Sequence, residues 1–82
     1  MKIRDEKFII AFGSHIRKLR QVKGISMQKL ADIMNVEYRQ VSDIERGKIN
    51  TTLSTILAIS RALEVSIEEL FKFEFNEGKK GI

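Results

Sequence analysis

The chain contains no cysteine and no proline. The first absence excludes a disulfide scaffold, a thiol nucleophile and every cysteine-ligated zinc site. The second suits short helices joined by tight turns. Long apolar runs are missing as well. FIIAF (8–12) is too short for a signal peptide and has no cleavage site, and no stretch is long enough to span a bilayer. A cytoplasmic protein with no membrane association is therefore expected. No glycine-rich phosphate loop follows a strand, and no paired carboxylates fall in an evident cleft, so nothing points to an enzyme, a cofactor or a metal. His15 is the single histidine. It lies on the polar side of the first helical stretch without identifiable catalytic or ligating partners, and a solvated or phosphate-near side chain is expected. The triplet Asn50-Thr51-Thr52 has the form of a glycosylation sequon and is read as chance.

What is present is one small, basic, helix-forming unit. Eighty-two residues allow a single domain. A chain this short buries only roughly 60–65% of its unfolded surface, so a second subunit would help it. The net charge of +4 is unevenly spread: residues 1–24 carry +5, residues 25–48 are neutral and residues 49–82 carry −1. A basic N-terminal third suits an anionic partner, although many solvated helices look the same.

Phe8, Ile9, Phe12, Ile16 and Leu19 recur at helical spacing, which predicts an amphipathic helix over 6–22 that stops at Gly24. Ser26 is a suitable N-cap for a second helix carrying Met27, Leu30, Ala31 and Met34. Asn35 tolerates the left-handed backbone of a tight turn. A third helix follows and stops at Gly47. Thr52 caps a fourth with Leu53, Ile56, Leu57 and Leu63, and Ser66 caps a short fifth with Ile67, Leu70 and Phe71. The expected architecture is all-α: an N-terminal arm (1–6), a five-helix domain (7–71) and a tail (72–82). FKFEF (71–75) alternates with period two, a strand pattern that would need a partner strand from another chain; alternatively, Phe73 and Phe75 fold back over the helices.

The third helix, within NVEYRQVSDIERGK (35–48), has only Val41 and Ile44 as large apolar residues after Tyr38. Within the unit MQKLADIM-NV-EYRQVSDIER, a small residue at Ala31 lets two helices cross closely and Asn35 redirects the chain. Val41 and Ile44 then pin the second helix of the pair by a narrow stripe. That arrangement is a helix-turn-helix. A helix held so narrowly leaves most of its surface projecting, and the major groove of B-DNA, about 12 Å wide, admits such a helix.

FGSHIRKLRQVKGIS, the LA pair, VSDIERGK and LSTILAISRALEVSIEELF together resemble the xenobiotic-response-element (Cro and phage-repressor-like) family over residues 12–71. The resemblance implies a lambda-repressor-like fold and sequence-specific double-stranded DNA binding in transcription regulation, usually as a homodimer on a palindromic operator. It assigns base contacts to Tyr38, Arg39, Gln40, Ser42 and Asp43, Arg39 reading a guanine in bidentate fashion and Gln40 reaching a base or a phosphate. It assigns phosphate contacts to Ser26, Met27, Gln28, Arg46 and Lys48, and a structural ion pair to Arg20 and Glu45. Met27 replaces the family's frequent phosphate-binding Gln, and Glu37 its usual helix-capping Ser or Thr. Asn35 stands at the family's turn Gly, while Thr51 and Glu64 replace a Pro and a Gly around the fourth helix. Ile67, Phe71, Phe73 and Phe75 carry more apolar surface than so small a core requires, and a dimer contact is expected there. The alternatives are a controller protein of a restriction–modification system, or an antitoxin whose apolar tail binds a protein partner. RNA binding is disfavoured, because no exposed aromatic cluster is available for stacking bases.

Overall fold

Five helices follow one another at the expected places in the computed structural model, which describes residues 3–75: α1 (Glu6–Val22), α2 (Met27–Met34), α3 (Tyr38–Glu45), α4 (Leu53–Leu63) and α5 (Ile67–Leu70). Local chemistry sets most of the boundaries. The side chains of Ser26, Thr52 and Ser66 accept hydrogen bonds from the backbone N–H groups of Lys29, Thr55 and Glu69, each satisfying one of the donors a helix start leaves open. Asp5 does the same for Phe8 and begins α1. Gly24 (φ 74°) and Asn35 (φ 60°) close α1 and α2 in left-handed backbone. Glu64 (φ 58°) closes α4 in the same conformation despite its Cβ.

The core is one cluster of Phe12, Ile16, Leu30, Ala31, Val41, Ile44, Ile59, Leu63 and Leu70. α3 packs against both α1 and α2, α4 lies against α2, and α5 bridges α1 and α4. Ala31 is fully buried, as a close crossing of α2 and α3 requires. Met27 and Met34 pack half-buried against the cluster.

Two expectations are corrected, and of the two alternatives for the tail the folded-back one is seen. In α4 the inward stripe is Ile56, Ile59, Ser60 and Leu63, spaced i, i+3, i+4, i+7 as a helix face demands. Leu53 and Leu57 fall beside that stripe, and Leu53 is 85% exposed. Ser60 is tolerated inside because its hydroxyl donates to the Val65 carbonyl at 2.8 Å. His15 is not on a free polar face. It is half-buried, with Nε2 2.9 Å from the Glu69 carbonyl oxygen and its ring 5.5 Å from that of Phe73. α1 is thus covered on a second side by α5 and the segment after it. That segment forms no strand within the chain: Phe73 and Phe75 fold back onto Phe8, at ring separations of 5.5 and 5.1 Å, and Phe71 meets Phe12 at 5.1 Å. Residues 76–82 of the tail, and Met1 and Lys2 of the arm, lie outside the described residues.

Candidate nucleic-acid interface

α2 and α3 are joined by three residues, Asn35, Val36 and Glu37. The Val36 N–H donates to the Ala31 carbonyl at 3.0 Å, so the turn is tied to the end of α2. Val41 and Ile44 are buried to within 2%. With those two side chains and Glu45 turned inward, the other residues of α3 lie on its outer face and edges. Tyr38 and Arg39 are exposed, while Gln40, Ser42 and Asp43 are half-buried at the edges of the helix. The Arg39 side chain is 87% exposed, and its Nε lies 3.8 Å from Asp43 one turn along. The pair is loose enough for Arg39 to leave it for a base edge.

The residues assigned to phosphates divide. Arg46 and Lys48 are exposed just past α3. The backbone there is held from the N-terminal arm, since the Arg4 guanidinium donates to the Lys48 carbonyl at 3.1 Å and pairs with Glu6 at 2.6 Å. Ser26 uses its hydroxyl oxygen as the α2 cap. Gln28 donates to Asp32 at 2.9 Å. Glu37 begins α3 without a side-chain cap.

One buried ion pair fixes α3 on α1. Arg20 and Glu45, each 8% exposed, meet through two hydrogen bonds: Nε to Oε2 at 2.7 Å and an Nη to Oε1 at 3.0 Å. The other Arg20 Nη donates to the Ile25 carbonyl at 2.8 Å. The hydrogen bond to Glu45 raises the Arg20 guanidinium above its ordinary pKa, against the lowering effect of burial, with smaller upward contributions from the charges of Glu45 and Tyr38.

Sequence reasoning missed two contributors. Gly13 is buried in the middle of α1, where a Cβ would overlap the carbonyl oxygen of Ile44. Its missing side chain lets the end of α3 rest directly on α1. A glycine inside an amphipathic helix costs about 1 kcal/mol relative to Ala, and that cost was the available signal of a close approach. The second is Arg17, which lines a cleft of about 270 Å³ with Arg20, Met27, Ser42, Glu45 and Arg46. Among the described residues, no group of three or more His, Cys, Asp or Glu side chains could hold a metal, and no helix is long and apolar enough to cross a membrane.

Comparison with known proteins agrees with this geometry. The sequence model of the helix-turn-helix family (HTH_3) matches residues 16–70. Control protein C.SmaI of Serratia marcescens is 29% identical over 77 residues, covering 94% of this chain and 89% of that protein. Control protein C.BamHI of Bacillus amyloliquefaciens is 38% identical over 65 residues, covering 78% and 80%. Among solved structures, the restriction-modification controller protein C.AhdI from Aeromonas hydrophila superposes with a TM-score of 0.75 at 36% identity, over 77% of this chain and 96% of that one.

Proposed function

Because the chain belongs to the helix-turn-helix (HTH_3) family of DNA-binding transcriptional regulators, we propose that it acts as a homodimer on a palindromic operator, reading each half-site with α3. The observation that carries this is the outward face of α3: Tyr38 and Arg39 stand free of the core while Val41, Ile44 and the Arg20–Glu45 pair hold the helix rigidly behind them. In this reading Tyr38, Arg39, Gln40, Ser42 and Asp43 address base edges, while Arg46 and Lys48 grip phosphates at the end of the helix and Ser26, Met27 and Gln28 meet the DNA backbone at the start of α2. Arg39 is the residue for a guanine. One helix reads only a few base pairs, so two half-sites about one helical turn apart supply the specificity.

The dimer contact in this proposal centres on Ile67 and Phe71, which are 46% and 39% exposed on one side of α5. Phe73 and Phe75 extend that surface while already packing on Phe8.

A more specific reading is a controller protein of a restriction–modification system. The similarity to C.SmaI, C.BamHI and C.AhdI over most of the length of each supports it. An antitoxin role would need a protein partner for the same apolar surface. The test is selection of bound duplexes from a random library at moderate salt. A palindrome with half-sites about one turn apart is the expected outcome. Binding without an enriched motif, weak and steeply salt-dependent, would sink the operator reading.

A further inference from the structure

The cleft between α1 and α3 has a specific construction. Gly13, Arg17 and Arg20 follow one another along one face of α1, at spacings of four and three. Gly13 brings that face against the end of α3, and Arg17 and Arg20 come next along it. From α3, Ser42 and Arg46 line the other wall, one turn apart, and Met27 lines the cleft at the start of α2. Beneath lies the Arg20–Glu45 pair, in which both carboxylate oxygens are engaged by the guanidinium. Glu45 is therefore neutralised and does not set the sign of the cleft.

What remains is strongly cationic. The four ion pairs among the described residues include neither Arg17 nor Arg46, and both side chains belong to exposed residues. Arg17, Arg46 and Ser42 thus line one concavity of about 270 Å³, several times the roughly 30 Å³ that a water molecule occupies. Guanidinium forks match the oxygens of a phosphate. The cleft opens beside the recognition helix α3, which contributes Ser42 and Arg46 to it.

We infer that this cleft seats a single backbone phosphate of the bound DNA, gripped by Arg17 from α1 and by Arg46 and Ser42 from α3. The inference rests on the DNA-binding reading of α3 and adds to it a contact from outside the helix-turn-helix. It also gives Ser42 a phosphate rather than a base, and it explains how a Met is accommodated at position 27: the anion is held by the arginines on either side of it.

The test uses the full chain and the duplex chosen by library selection, measured for wild type, Arg17→Ala and Arg61→Ala over a range of salt. Arg61 is an exposed residue of α4, outside the proposed interface, and controls for the loss of one positive charge. Arg17→Ala is expected to weaken binding on the order of tenfold and to flatten the slope of log K against log salt by about 0.9, with its base preferences unchanged. A scan of duplexes each carrying one neutral methylphosphonate should then find a position per half-site that weakens wild type clearly more than Arg17→Ala, in which Arg46 and Ser42 still hold the phosphate. That result identifies a DNA phosphate rather than a free anion as the occupant. Competition by inorganic phosphate that protects no single duplex position would overturn the assignment to DNA. An Arg17→Ala slope equal to that of wild type, or a loss matched by Arg61→Ala, would overturn the site while leaving operator binding intact. A wild-type protein that selects no duplex would remove the operator reading and this one together.

Discussion

Arg20 and Glu45, twenty-five residues apart in sequence, are joined by two hydrogen bonds of 2.7 and 3.0 Å in the interior between α1 and α3. Their attachment makes the position of the recognition helix depend on a helix that is not part of the helix-turn-helix. The pair is more than an exposed surface contact, because both ends are desolvated and the remaining guanidinium nitrogen is taken by the Ile25 carbonyl.

Glu45→Ala should therefore cost about 3–5 kcal/mol, since it leaves the Arg20 charge buried and unpaired. Chemical denaturation reads this directly. Arg20 has its pKa raised in the folded state by its bond to the Glu45 carboxylate, so the stability it contributes is fully present through neutral pH, below the ordinary guanidinium range, and is lost at the alkaline end as pH rises through the folded value. A titration of stability near neutral pH should show no step from Arg20.

Glu64 holds left-handed backbone at φ 58° where glycine would be free of strain. An L-residue pays about 1–2 kcal/mol there, and glycine gives back part of that gain through its more mobile unfolded chain. Glu64→Gly should raise stability by about 1 kcal/mol, seen as a higher denaturation midpoint with an unchanged slope. A drop in the midpoint would mean that the Glu64 side chain contributes something the strain does not outweigh.

Gly13→Ala places a methyl group against the Ile44 and Glu45 backbone. Backbone cannot rotate away as a side chain can, so α1 and α3 must separate. A loss of about 1–3 kcal/mol is expected, together with weaker DNA binding, because both the Arg20–Glu45 pair and the cleft at Arg17 depend on that approach. Full retention of both properties would show that the helices can slide without consequence.

Arg39→Ala and Lys48→Ala should behave differently on DNA. The first removes a group free to reach a base and should cost about 1–3 kcal/mol at one guanine of the site, relaxing preference there. The second should weaken all sequences alike and flatten the salt slope by about 0.9. Equal losses on every duplex for both variants would return Arg39 to the phosphate contacts.

Ile67→Asp tests the proposed dimer surface without disturbing the core, since Ile67 is 46% exposed at the start of α5. Sedimentation should shift from dimer to monomer. If Ile67→Asp stays dimeric, the contact lies elsewhere, with exposed Leu53 and Leu57 of α4 as the next surface to vary.

The sequence by itself determined the helices and the helix-turn-helix, because their determinants act within a few residues. Ser26, Thr52 and Ser66 cap their own helices, Asn35 makes its own turn, and Val41 with Ile44 forms a stripe that spacing alone reveals. The family pattern added the Arg20–Glu45 pair, which local rules could not find across twenty-five residues. Only the tertiary structure decided which apolar residues of α4 turn inward, why Leu53 does not, and that His15 faces α5 instead of solvent. It also decided that the aromatic tail packs on Phe8 within the chain. The cleft at Arg17 belongs to the same class. Arg17 reads in sequence as one more solvated cation on a basic helix; it comes to line one cleft with Ser42 and Arg46 because α1 and α3 approach closely at Gly13. Local periodicity sets which way a side chain points from its own helix. What it meets there depends on the crossing of helices far apart in sequence, which is set by packing of the whole core.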